Sequence, residues 1–153
     1  MKAFFASFAG QIFSVLVVLA IVSACTLDTR KAELGASLAG TNWNLKSLDS
    51  QSVNTAYLPT ISFETSRITG YGGCNRYFGN YTSSNDGVFS THQIGATKMA
   101  CNNERDRLEQ RYLEQLSKAS LYAITREQLH ILDNNRKILM VFTAAKPATT
   151  NSK

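Results

Sequence analysis

Histidine and proline are scarce in this chain: each occurs twice in 153 residues. With His92 and His130 the only imidazoles, a metal centre would have to draw on three cysteines, and no C-x₂-C or H-x₃-H spacing is present. The same shortage leaves few bases to activate a cysteine nucleophile. Acidic residues number 11 against 16 Lys and Arg, giving a formal net charge of +5. The basic residues are scattered rather than clustered, so no nucleic-acid footprint is expected. Tryptophan occurs once, and no internal repeat is visible. The length suits one domain. No catalytic constellation, cofactor motif or metal-ligand set emerges, and the chain reads as a non-enzyme.

Hydrophobic runs are also few, and the clearest lies at the N-terminus. A single early charge, Lys2, precedes the apolar run IFSVLVVLAIV at 12–22, and Ser23, Ala24 and Cys25 follow at once. A charged start, a short apolar stretch and small residues at its end describe a signal peptide. The order Val22-Ser23-Ala24-Cys25 resembles the bacterial lipobox, which implies cleavage after Ala24 and lipidation of Cys25. The expected partner of that residue is a membrane surface, anchored to but not spanned. Thr26, rather than Asp, follows the cysteine, a pattern resembling lipoproteins sorted to the outer membrane, facing the periplasm. Removal of residues 1–24 takes away Lys2 and no acid, so the mature chain carries about +4. Two cysteines then remain, an even number for an oxidising compartment. A Cys74–Cys101 disulfide is the pairing this leaves, with unpaired buried thiols as the alternative.

Residues 25–40 are small, polar and charged, and read as a flexible tether. The domain is expected over 41–143 and a frayed tail over 144–153. A first strand over 42–48 carries Trp43, Leu45 and Leu48. Polar residues 49–56 read as a turn. Ile61 and Phe63 alternate with polar residues as in a half-buried strand, and residues 68–71 return antiparallel. The sequence GYGGCNRYFGNY at 70–81 combines glycines that suggest a bend or bulge with an alternation that puts Tyr77 and Tyr81 on one face and Phe78 on the other. An Asp-Gly turn at 86–87 leads to a strand over 88–96.

The period then changes. Asn102 or Asn103 can cap a helix whose stripe is Leu108, Tyr112, Leu113, Leu116 and Ala119. Arg105, Arg107, Glu109, Arg111, Glu114 and Lys118 are expected on its solvated face. Three short strands follow at 121–125, 129–132 and 138–142. The last, ILMVF, is apolar on both faces and reads as a central strand covered on both sides. One helix cannot cover a flat sheet of this many strands. The fold class is therefore α+β: a strongly curved antiparallel sheet, a partial barrel, packed around one amphipathic helix.

Trp43 and Leu45, then GYGGCNRYFGNY, then TKMAC at 97–101 before a helix with Glu109 and Leu116, resemble the META domain family, which includes HslJ-like heat-shock lipoproteins. The resemblance spans about residues 38–143. It implies a curved sheet against a helix, the two cysteine positions, no catalytic residue, and an association with heat-shock and envelope stress and with tolerance of novobiocin-type antibiotics. Binding to an envelope protein is the mode of action expected, by a monomer. Asn75, Arg76, Tyr77 and Tyr81 are the candidate binding surface, because Tyr and Arg are enriched at interface hot spots. The opposing reading places Tyr77 and Tyr81 inside the curved sheet, with Asn75 capping its own turn. A carrier of a small hydrophobic ligand beside Tyr77, Phe78 and Tyr81, or an inhibitor of an envelope enzyme, is the functional alternative.

Overall fold

The computed structural model describes residues 36–125 and 127–146. The signal segment, the lipobox with Cys25, most of the tether and the end of the tail lie outside the described residues. Nine strands and one helix follow in the order β1 (Asn42–Leu48), β2 (Gln51–Ser52), β3 (Thr60–Phe63), β4 (Arg67–Tyr71), β5 (Arg76–Ser83), β6 (Phe89–Ala96), α1 (Asn103–Ser117), β7 (Leu121–Ile124), β8 (Gln128–Leu132) and β9 (Ile138–Ala144). All strand pairs are antiparallel, and the sheet order is β6-β5-β4-β3-β1-β9-β8-β7, with β2 added to β1.

The sheet curls into a half-barrel because its inner face is crowded with large side chains that must all reach one helix. Tyr77 and Tyr81 alternate inward along β5, as the sequence pattern requires, and Phe78 points out, 49% exposed. Inside, aromatic rings meet edge to face or tilted: Phe63 with Tyr81 at 5.1 Å, Phe89 with Tyr122 at 6.2 Å, and Tyr112 of α1 with Phe142 at 6.3 Å. The two edge strands approach each other at one end. Val88 bridges to Leu121, the Phe89 N–H donates to Ser120 O and the Tyr122 N–H donates to Gly87 O.

Helix α1 begins where Asn102 accepts from the Arg105 N–H at 3.0 Å, with Glu104 and Asp106 in the first turn. Tyr112 and Leu116 are buried, and Leu108 and Leu113 pack partly against the core.

Four expectations need correction. Residues 36–40 belong to the domain and not to a tether. Leu38 is 1% exposed, Gly40 N–H donates to Phe63 O, and Tyr122 Oη donates to Ala36 O. One leucine in a polar stretch gives no periodicity to detect. The tail likewise starts later, since Ala144 ends β9 and the Ala145 N–H donates to Asn42 O. Strand β9 is central, between β1 and β8, yet it is covered on one side only: Ile138 is exposed and Val141 half-buried. Leu139 and Met140 are both buried because a register shift opposite Ile131 and Leu132 turns two successive residues inward. The polar stretch 49–56 also holds the short strand β2, entered through Asp49 and Ser50, both at positive φ.

Gly70 shows how tightly β4 is enclosed. A Cβ there would overlap the Thr60 carbonyl oxygen and stand 2.8 Å from the Tyr77 ring and hydroxyl. Gly70→Ala is expected to destabilise the domain by about 1–3 kcal/mol or more. Gly95→Ala, which meets only the exposed Phe78 ring, is expected to cost less than ~1 kcal/mol. Urea unfolding of both variants checks the ordering, and equal losses would refute it.

Candidate functional site

The glycine-rich stretch forms a tight turn at 72–75, closed by the Gly72 N–H donating to Asn75 O at 2.8 Å. Gly73 lies at φ +118°, a conformation in which a side chain would be strained. This turn aims the N–H groups of Cys74 and Asn75 at α1, where Glu109 Oε2 accepts them at 3.2 and 2.5 Å. Asn75 Nδ2 donates to Glu109 Oε1 at 2.9 Å. On its other side, Asn75 Oδ1 accepts from the Thr97 hydroxyl at 3.0 Å and from the Met99 N–H at 2.7 Å. Arg105 completes the cluster, donating from Nε to Gly73 O at 2.9 Å and from Nη2 to Tyr71 Oη at 2.5 Å, with its guanidinium 4.3 Å from the Tyr57 ring centre. A Cys74–Cys101 disulfide, Cα to Cα 6.0 Å, joins the turn to the segment entering the helix.

The sequence-predicted binding surface is therefore not a surface. Asn75 is 6% exposed and forms hydrogen bonds through both atoms of its carboxamide. Tyr77 is buried, its hydroxyl 2.7 Å from that of Tyr112 and donating to Thr60 O at 3.0 Å. Tyr81 is buried and donates to Glu64 O at 2.7 Å. Of the four, only Arg76 is exposed. The reason is the side that faces α1: alternation groups Tyr77 with Tyr81, but only the helix decides which face of β5 is inside. Glu109 and Arg105, expected on the solvated helix face, instead turn toward the 72–75 turn. Charged residues at helical spacing carry no signal that distinguishes a structural clamp from a solvated face.

The one group of residues with metal-ligand potential among those described is Cys74, Cys101 and Asp106, within 4.8 Å of one another. Joined as a disulfide, the two sulfurs are not thiolates and are poor ligands. The two imidazoles pair elsewhere, His92 with Ser90 and His130 with Gln128. The inner face of the sheet is filled by Tyr77, Tyr81, Phe89, Tyr112, Tyr122 and Phe142, which occupy the space a hydrophobic ligand would need. Outside, an open groove of about 510 Å³ runs between the first half of α1 and residues 48–57, with Leu48, Val53 and Leu108 among its apolar lining and Arg107 and Arg111 on the helix side. Arg111 pairs with Asp49 at 3.0 Å.

Burial raises the Tyr77 and Tyr112 hydroxyls well above the usual tyrosine range. A raised folded-state value means that the neutral phenols stabilise the fold fully below the unfolded value near pH 10, and that this stability is lost as pH rises above it. Denaturant midpoints are expected to hold level up to about pH 10 and then fall, with a shallower fall in Tyr112→Phe; a slope unchanged by that substitution would refute the assignment. Glu109→Ala leaves three N–H donors without their acceptor, and is expected to cost about 2–4 kcal/mol in urea unfolding. A loss below ~1 kcal/mol would show that the clamp is dispensable.

Comparison with known proteins finds solved structures of similar fold and a family. An NMR structure of a protein from Burkholderia xenovorans is 24% identical, with TM-score 0.59, covering 72% of this chain and 85% of that one. A crystal structure of a DUF4847 family protein from Bacteroides vulgatus shares the fold at 14% identity and TM-score 0.54, over 72% of this chain and 96% of that one. No curated protein matches the sequence significantly. The META domain profile matches residues 36–146, the same span that forms the half-barrel and its helix, and the chain belongs to the META domain family.

Proposed function

We propose that this chain is a non-enzymatic, lipid-anchored protein of the bacterial cell envelope that contributes to heat-shock and envelope stress tolerance, including tolerance of novobiocin-type antibiotics, through binding to an envelope component. The observation that carries the reading is how the reactive side chains are used. Cys74 and Cys101 are joined, and the Glu109 carboxylate holds the turn that contains Asn75. These groups support the fold, and neither cysteine has a histidine among its hydrogen-bond partners. What the described residues offer to the outside is shape and charge: the groove beside α1 and the exposed loop before it.

The lipobox-like Val22-Ser23-Ala24-Cys25 supplies the compartment. From Cys25 to the first described residue, Ala36, the chain can extend at most roughly 40 Å. A domain on that leash samples partners close to the membrane surface, which favours weak contacts by raising their effective concentration. The carrier reading has little support, because the interior is occupied by aromatic rings.

Intact mass of the membrane-extracted protein tests anchor and disulfide together. The expected species lacks residues 1–24, carries added acyl groups and shows two thiols that alkylate only after reduction. An uncleaved chain, or two thiols reactive at once, would overturn the compartment assignment. Cross-linking in intact cells under heat and antibiotic stress tests the binding role, which fails if no specific partner is captured.

A further inference from the structure

The segment between β6 and α1, residues 97–100, contributes nothing to the core, yet it is pinned at closely spaced points. All four residues are exposed, Met99 at 58%. The Thr97 N–H donates to Arg76 O at 3.0 Å, and its hydroxyl donates to Asn75 Oδ1 at 3.0 Å. The Met99 N–H donates to the same oxygen at 2.7 Å. Cys101 is then held by the disulfide to Cys74. Between these anchors, Lys98 and Ala100 have no hydrogen-bond partner among the described residues. None of residues 97–100 has a positive φ. The Thr97 hydroxyl and the Met99 N–H are thus tied to one buried oxygen, and Lys98 between them is exposed.

The anchor is itself rigid. Asn75 is 6% exposed, and its Nδ2 and backbone N–H are held by Glu109. A buried carboxamide thus grips the residues on either side of Lys98 from beneath, while the disulfide closes the C-terminal end. An ordinary exposed loop must be ordered when it is bound, and that ordering reduces affinity. A loop already ordered in the bound shape avoids the loss. A backbone held in one shape, with the N–H and C=O of Lys98 unpaired and its basic side chain exposed, offers the substrate cleft of a protease main-chain hydrogen bonds and a side chain for its specificity pocket.

We infer that residues 97–100 form an inhibitory loop that enters the substrate cleft of a serine protease with an acidic specificity pocket, with Lys98 in the pocket and the Lys98–Met99 bond at the catalytic serine. The inference rests on the reading that this chain acts by binding and names the class of partner. Hydrolysis of that bond adds one water, giving a carboxylate on Lys98 and an amine on Met99. The new ends do not separate: Asn75 retains Thr97 on one side, and the disulfide retains Cys101 on the other. Resynthesis of the bond, with release of the same water, therefore competes with departure, and the protease stays occupied.

Trypsin and a chromogenic arginine substrate provide the probe, with the folded, disulfide-bonded domain as the inhibitor. The wild-type domain is expected to block hydrolysis near stoichiometric amounts and to remain largely uncut. Lys98→Arg is expected to inhibit within about tenfold of wild type, and Lys98→Ala to weaken inhibition by roughly a hundredfold or more. Because Lys98 is exposed and unpartnered, both variants should unfold at the wild-type denaturant midpoint. In the reduced wild-type domain the bond should be cut rapidly. No inhibition by the wild type, equal inhibition by Lys98→Ala, or cleavage of the disulfide-bonded domain after Lys98 as fast as in the reduced chain would each overturn the inference. Such a failure is separable from failure of the broader binding role, which is read from cross-linked partners in cells and not from trypsin.

Discussion

The carboxylate of Glu109 is the contact on which the rest of this structure depends. It accepts from two backbone N–H groups and a side-chain amide in the 72–75 turn, and hydrogen bonds to an ionised acceptor are stronger than neutral ones. The turn can present those donors only because Gly73 permits its positive φ. With Asn75 fixed in this way, its oxygen is free to accept from the Thr97 hydroxyl and the Met99 N–H. Sheet bend, helix position and loop shape are therefore one coupled arrangement. The disulfide covers the same junction covalently. In the chain-entropy description, a closure across a separation of 27 residues stabilises by about 3–4 kcal/mol, a large share of a small domain's total.

The interior solves a different problem. A half-barrel with one helix has room for bulky residues, and this one fills it largely with rings. Each buried tyrosine hydroxyl must then find a partner. Tyr77 and Tyr112 share a contact beside Thr60 O, Tyr81 reaches Glu64 O and Tyr122 reaches Ala36 O. No buried polar side-chain atom among the described residues lacks a partner. These hydroxyl contacts recruit residues 36–40 and the 60–64 segment into the core. They also fill the interior with rings, and the outer groove and the loop before α1 are left exposed.

Much of this architecture was legible from local pattern. Alternation in β5, the helix stripe through Tyr112 and Leu116, the Asn102 cap and the pairing of Cys74 with Cys101 all stand in the structure as the residues imply. The candidate surface was read less well. Tyr and Arg next to a cysteine look like an exposed hot spot and like a core equally, since both require large amphipathic side chains. Nothing local tells Glu109, which grips a turn, from Glu114, which meets Lys118 on the exposed surface. Leu38 was missed for a related reason: a lone apolar residue has no period.

The sequence by itself determined the periodicities and the places where the backbone must bend, because these follow from steric properties of neighbouring residues. The tertiary structure alone decided which face of each strand is inside, that Asn75 is a buried hub rather than a contact residue, and that Lys98 stands free on a clamped loop. Those outcomes depend on atoms 22 to 35 residues apart in the chain, such as Thr97 with Asn75 and Tyr112 with Tyr77, meeting across the curled sheet. Pairings of that kind are set by packing as a whole, and no local stretch of sequence encodes them.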